Sequence, residues 1–241
     1  MSHAIRALAV LALAGTLVLA GCGKDSVSDR QFGEKVRAYL LAHPEVLRET
    51  AEALDKKDAK DKSDRATAVI RADRVKLERD PRDLVLNPNG KVTVVQFFDY
   101  NCGYCKQAAP ELLAMAKARP NVRFVFKDWP VVGGEESVHA ARIAYGVRQS
   151  HGNAAQFYAD LIGARPANRA SLQVIAAARG LDLNGLQAAA DKGDFDRYQK
   201  DTGKLAHDLG LEGTPAFVVG DEMFEGSDIE RLKAAIAKAK A

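Results

Sequence analysis

The sequence predicts an α/β fold in which a helical block is set into a mixed sheet, with a helical extension in front. Three observations carry this. The β-branched and aromatic run Val92–Phe98 is followed by strong helix formers and then by the alternating run Val122–Phe126, giving strand, helix, strand. Residues 135–209 read as almost continuous helix, and strand character returns only at Ala216–Val219. Ahead of all this, residues 31–79 repeat apolar positions at helical spacing.

The chain opens with a short positive region containing Arg6, then an apolar run that ends at Gly21. That run is too short for a membrane-spanning helix and reads as a secretory signal over residues 1–21. Leu19-Ala20-Gly21-Cys22 resembles a bacterial lipobox, which implies cleavage before Cys22 and a diacylglycerol thioether on it. An ordinary signal peptide is the alternative, disfavoured by the small residues before the cysteine and the polar stretch after it. Each buried methylene of such a lipid contributes about 0.8 kcal/mol to membrane binding. The expected location is therefore exported, periplasmic or otherwise extracytoplasmic, anchored at Cys22. Gly23, rather than an aspartate, after the cysteine favours the outer membrane over the inner.

Residues 22–30 are polar and small and read as a tether. Phe32, Val36, Tyr39 and Leu40 then mark one helix, and Pro44 suits the first position of another, carrying Val46, Leu47, Ala51 and Leu54 on one face. A mixed-charge run over 56–65 follows, then weaker helical spacing at Ala68, Val69 and Val75. An amphipathic stripe on a projecting segment needs a partner surface, so residues 31–79 are expected to mediate homo-oligomerisation, in preference to folding back on their own domain.

The main domain is expected over residues 80–241. Asp83–Leu86, the turn Asn87-Pro88-Asn89-Gly90 and Val92–Phe98 together predict a hairpin. Ala108–Ala118 predicts a helix with a kink at Pro110. Breaks in the helical block fall at Gly152, Pro166, Gly180 and Gly193. Met223 and Phe224 form a short strand, and Ile229–Ala241 closes the chain as a helix.

With 241 residues, 47% of them apolar, the chain has material for a sizeable core and is no small disulfide scaffold. Its net charge of +3 comes from interspersed signs, which argues against nucleic acid as a partner. Of its three cysteines, a lipidated Cys22 leaves only Cys102 and Cys105 as thiols, in a compartment where disulfides persist. Two cysteines at i and i+3 on a helix start lie on one face, at a separation that admits a disulfide. Cys102 would sit where unpaired backbone donors and the helix dipole favour a thiolate, the attacking species in exchange. Cys105, one turn further in, is shielded and suits a resolving thiol.

A zinc half-site needs more ligands, and His43, His139, His151 and His207 are scattered, so no metal is expected. A permanent staple at this spacing closes too short a loop to matter for stability. Asp99 and Tyr100 read as structural, Lys106 as solvated, Glu111 as facing water and Trp129 as core.

The stretch from Phe97 to Lys106, the helical block after the next strand, and Gly213-Thr214-Pro215-Ala216-Phe217 together resemble the DsbA-like branch of the thioredoxin fold, over roughly residues 80–241. The resemblance implies a thioredoxin-like fold with the helical insertion between the second strand and the strand of a cis proline, Pro215. It implies Cys102 as nucleophile, Cys105 as resolving thiol, and the backbone of Thr214 as a hydrogen-bonding site for a client strand. The implied activity is thiol:disulfide exchange, whether formation, isomerisation or reduction, on unfolded or misoxidised exported proteins. It needs no organic cofactor and implies a membrane redox partner that resets the pair. Residues 36–49 also resemble the N-terminal segment of membrane-anchored or oligomeric members. Two positions depart from the pattern: Tyr104 replaces a histidine common in oxidising members, and Gln96 replaces a buried acid. Gly103 and Tyr104 are the candidate tuning residues, and Thr214 is more usual in isomerases and reductases. The competing class is a thiol-dependent copper or zinc binding protein, or a chaperone with incidental cysteines.

Overall fold

The structure, a computed structural model, describes residues 25–239; the expected signal peptide and Cys22 lie outside the described residues. The chain divides into two compact units, the first ending at Asp58 and the second beginning at Ala59.

The first unit contains α1 (Asp25–Ala42) and the opening half of α2 (Glu45–Ala72). Helix α1 starts at Asp25, so most of the stretch expected as a tether is helical. Pro44 stands just before α2, where its missing donor costs nothing. Here the His43 amide closes α1 on Tyr39 O at 2.8 Å, and the Tyr39 and His43 rings lie 4.6 Å apart. Phe32, Val36, Tyr39, Leu41, Leu47 and Leu54 are all exposed, and no described side chain in this unit is buried.

The second unit takes in the remainder of α2 and α3 (Arg74–Glu78), which moves the domain boundary well before the expected residue 80. Ala66, Ile70 and Leu77 are buried. The mixed-charge run contributes as well: Lys62 pairs with Glu212 and Glu225 at 2.8 and 3.0 Å, and Arg71 with Asp221 at 2.7 Å. Sparse apolar spacing concealed this docking face because ion pairs supply much of its contact.

The sheet holds β1 (Leu84–Leu86), β2 (Val92–Phe98), β3 (Val122–Asp128), β4 (Ala216–Val219) and β5 (Glu222–Glu225), in the order β1-β3-β2-β4-β5. Strands β2 and β3 are parallel, joined by α4 (Gly103–Ala118), while β4 runs antiparallel to β2 with Ala216 opposite Phe97. The expected hairpin does not form. Strand β1 pairs antiparallel with β3, which lies between it and β2. The turn does reverse the chain, but Asn87 spends its amide on Ala116 O, Arg119 O and Val122 O. A Cβ at Gly90 would stand 2.3 Å from the Arg123 nitrogen, so only glycine lets the connection cross so close to β3. Strand β3 also outruns its apolar pattern, because Lys127 and Asp128 are buried against Asp83 and Arg148 at 2.7 and 2.5 Å.

Every residue of β2 is buried. Val94 and Phe98 face a core shared with Ala108, Leu112, Leu232 and Ile236, whereas Val95 and Phe97 face Ile70, Leu77, Leu205 and Leu209. Each large apolar side chain so buried contributes roughly 1.5–3 kcal/mol. The helical block is α5 (Gly134–Gln149), α6 (Ala154–Gly163), α7 (Arg169–Arg179), α8 (Leu183–Lys192) and α9 (Phe195–Asp208); α10 (Ile229–Lys238) follows β5. Its breaks fall where glycine and proline predict, with Gly180 left-handed at φ 62° to end α7. Pro110 stands inside α4. Among the described residues, no helix is long and apolar enough to cross a membrane.

Candidate active site

Strand β2 ends at Phe98, and four residues later Cys102 serves as the N-cap of α4 with extended φ −70° and ψ 118°. Its amide donates to Asp99 O at 3.1 Å, which fixes the turn between strand and helix. Its sulfur accepts the Cys105 amide at 3.3 Å, the place an N-cap oxygen usually takes. Both cysteines are free thiols, with Cys102 3% and Cys105 0% exposed. Across from them the Thr214–Pro215 peptide is cis, and the Cys102 thiol lies 3.1 Å from Thr214 O, which it reaches as a donor.

These contacts split the two thiols electrostatically. The Cys102 pKa falls to about 6, chiefly through the hydrogen bond from the Cys105 side chain, with Thr214 and the amides of Cys105 and Tyr104 adding to it against the cost of burial. Burial pushes the Cys105 thiol strongly up, and the neighbouring Cys102 sulfur adds to that. The outer sulfur is thus an anion near neutral pH, while the inner one keeps its proton. Such a pair can attack a foreign disulfide through one sulfur and resolve the adduct through the other.

Of the residues singled out in the sequence, Cys102, Cys105, Thr214 and Pro215 come together. Gly103 and Tyr104 lie on the outside of the turn, both exposed, Tyr104 by 63%. Alternation places Gln96 on the β2 face of Val94 and Phe98; it is 1% exposed, and neither end of its amide has a hydrogen-bond partner among the described residues. Trp129 packs edge-on against Phe97 at 6.3 Å, and His207 is solvated. No group of three or more His, Cys, Asp or Glu among the described residues is placed to hold a metal ion.

Asp99 is structural, as its position suggested, while the roles of Asn101 and Lys106 escaped the sequence reading. Asp99, 1% exposed, accepts the Asn101 amide and the Ser137 hydroxyl on Oδ1, both at 2.6 Å, and the Val132 and Gly133 amides on Oδ2 at 2.7 and 3.4 Å. Asn101 clamps Ala167 in both directions at 2.9 Å and also donates to Ser137. These bonds sew the cysteine turn to the helical block. The Asp-Tyr-Asn spacing before an N-cap was the available signal, since Asx side chains there bond nearby backbone. Lys106, expected in solvent, is 9% exposed, and its ammonium donates to Ala164 O.

The profile of the DSBA-like thioredoxin domain matches residues 93–237. The chain belongs to that family. Residues 30–60 separately match the copper resistance protein ScsC N-terminal domain. A thioredoxin-like oxidoreductase from Silicibacter pomeroyi DSS-3 is 39% identical, covering 69% of this chain and 97% of that one, with a TM-score of 0.65. BcfH of Salmonella enterica Typhimurium is 26% identical over 89% of this chain and 97% of its own, with a TM-score of 0.76. A periplasmic thioredoxin-like protein from Salmonella enterica serovar Typhimurium is 29% identical, covering 69% and 94%, with a TM-score of 0.58. Among curated proteins, the Na(+)/H(+) antiporter NhaA 1 of Salinispora arenicola is 29% identical over 178 residues. The chain spans about a quarter of the length of the curated relatives it matches. Antiport is not inferred from so partial a likeness. DsbA-like thiol-disulfide exchange proteins are oxidoreductases, and the paired thiols here suit that chemistry.

Proposed function

We propose that this protein exchanges disulfides with exported polypeptides through Cys102 and Cys105. The observation that carries the reading is an N-cap thiol with a pKa of about 6, set beside a cis Thr214–Pro215 peptide and above a buried second thiol. In reduction, the Cys102 thiolate attacks a client disulfide, forming a mixed disulfide and expelling one client thiolate. Cys105 then loses its proton and attacks the Cys102 sulfur; the Cys102–Cys105 bond forms, the second client thiolate leaves, and two electrons have passed to the client. Oxidation of a client runs the same steps backwards. Pro215 and the Thr214 backbone hold the client strand, and a membrane redox partner restores the pair.

Two assays read the activity: reduction of insulin and refolding of scrambled ribonuclease. Cys102→Ser is expected to lower both by at least about a thousandfold, since the attacking thiolate is gone. Turnover that survives the substitution rejects the reading. A metal-carrier role has one observation of its own, the match of residues 30–60 to a copper resistance protein's N-terminal domain. Stoichiometric Cu(I) or Zn(II) binding through both thiols, without turnover, would favour it.

The protein acts outside the cytoplasm, anchored by a lipid on Cys22, with Gly23 directing it to the outer membrane. Lipobox-like residues 19–22 and the periplasmic relative support this location. The mass of the membrane-extracted chain tests it: a mature N-terminus at Cys22 carrying diacylglycerol is expected, and an unmodified residue there rejects it. The exposed apolar residues of the first unit, Phe32 to Leu54, support self-association through the N-terminal helices.

A further inference from the structure

The segment from Leu209 to Pro215 joins α9 to β4 and carries Thr214, whose carbonyl oxygen lies 3.1 Å from the Cys102 sulfur. A connection of this kind has backbone donors that neither a helix nor a sheet takes up, and each needs an acceptor if the segment is to keep one position. Here two of them converge on one atom. The Glu212 and Gly213 amides both donate to Glu225 Oε2, at 2.9 and 3.1 Å. Glu225 ends β5, opposite Ala216 in the ladder with β4, and the next amide, that of Gly226, donates to Pro215 O at 2.8 Å. Two adjacent residues therefore grip the segment on either side of Thr214.

The second carboxylate oxygen is taken as well. Glu225 Oε1 accepts Lys62 Nζ at 3.0 Å, and the same ammonium reaches Glu212 Oε1 at 2.8 Å. Lys62 belongs to α2, so that helix is tied to the segment twice, once directly and once through Glu225. Its hydrogen bonds to Glu212 and Glu225 push the lysine above its ordinary pKa, so it stays charged there. An ion pair with both partners near the surface is worth little by itself. What sets Glu225 apart is that its charge is spent on backbone, and hydrogen bonds from amides to an ionised carboxylate are about twice as strong as neutral ones.

We propose that Glu225 is a positioning residue for disulfide exchange: its carboxylate, braced by Lys62, fixes the Glu212–Gly213 backbone and with it the Thr214 edge along which a client strand lies beside Cys102. This deepens the exchange function proposed above and rests on it. An extended peptide that adds to a backbone edge gains most when the edge already has its final shape, because no ordering is left to be done on binding. Glu225 supplies that order in advance.

Three variants test it. Glu225→Ala removes the acceptor of both amides, Glu225→Gln keeps an oxygen for them but loses the charge, and Lys62→Met leaves the carboxylate unbraced. Insulin reduction at varied insulin concentration separates KM from kcat, and reduction of hydroxyethyl disulfide reports a substrate with no peptide group to add to an edge. Glu225→Ala is expected to raise the insulin KM about tenfold with kcat within about twofold, and the other two variants to raise it about threefold, all with native rates on hydroxyethyl disulfide. Hydrogen exchange at the Glu212 and Gly213 amides should quicken about tenfold in Glu225→Ala. An insulin KM within about twofold of native in that variant overturns the proposal, whatever happens to thermal stability, and so does an equal loss on both substrates or unchanged exchange at the two amides. If Glu225→Ala does not fold, a native KM in Glu225→Gln overturns it; a native KM in Lys62→Met removes the lysine from it. If the native protein reduces neither substrate, the exchange function falls, while the two amides still decide whether Glu225 fixes the segment.

Discussion

The helices of residues 25–58 and the cysteine turn of residues 99–106 invert the usual relation between polarity and burial. In the first, six large apolar side chains face water; in the second, Asp99, Cys102, Cys105 and Lys106 are inside. The difference lies in partners. The Asn101, Val132 and Gly133 amides and the Ser137 hydroxyl meet both oxygens of the Asp99 carboxylate, so its burial is compensated. Nothing within the first unit covers Phe32 or Leu47, so their burial awaits another surface. A single chain thus completes its chemistry and leaves its helices unfinished.

The largest test of that contrast is Asp99→Ala. It takes the acceptor from four donors, the buried Ser137 hydroxyl among them, and urea unfolding of the reduced protein should show a loss of about 2–4 kcal/mol. A loss below about 1 kcal/mol would mean the turn does not depend on this carboxylate. Leu47→Ala, by contrast, should move the same unfolding free energy of the second unit by less than about 0.5 kcal/mol.

The pH dependence comes next in size. Cys102 titrates at about 6 in the folded reduced protein against an ordinary 9.0, so between those values the native state carries a thiolate where the unfolded chain carries a thiol. The unfolded state binds more protons there, and the stability of the reduced protein rises with pH across that window. It is lost as pH falls through about 6. The disulfide form lacks the group, so the stability gap between the two forms should shift with pH in the same window. Alkylation should fall about tenfold per pH unit below the inflection. An inflection near 9 would show that the cap contacts leave the sulfur unaffected.

The smallest effect at the active site is expected from Leu41→Glu combined with Leu47→Glu. Light scattering should show the assembled mass fall to that of one chain, while the alkylation inflection stays where it was. A monomeric mass for the native protein would remove self-association altogether.

Strand β2 and the boundaries of the helical block were legible because their signals are local: seven β-branched, aromatic or apolar-flanked positions, and glycines where the backbone must turn. The cysteine pair was legible for the same reason. Strand β1 was not, since Asn87-Pro88-Asn89-Gly90 encodes a reversal but not the identity of the neighbour, and β3 takes that place from 35 residues on. The burial of Lys106 was hidden because a charged side chain reads as solvated until its partner is known, and Asp99, though read as structural, did not name its partners. Those partners, Ala164 and Ser137, come from the distant helical block.

Gln96 stands in the innermost strand, on the face turned toward the inner cysteine, and an amide there neither accepts nor releases a proton in the physiological range. That face of β2, Val92, Val94, Gln96 and Phe98, therefore carries one constant charge, zero, whatever the acidity outside. A change in the surrounding acidity would alter how readily the outer sulfur reacts without altering the charge of the strand face behind the pair.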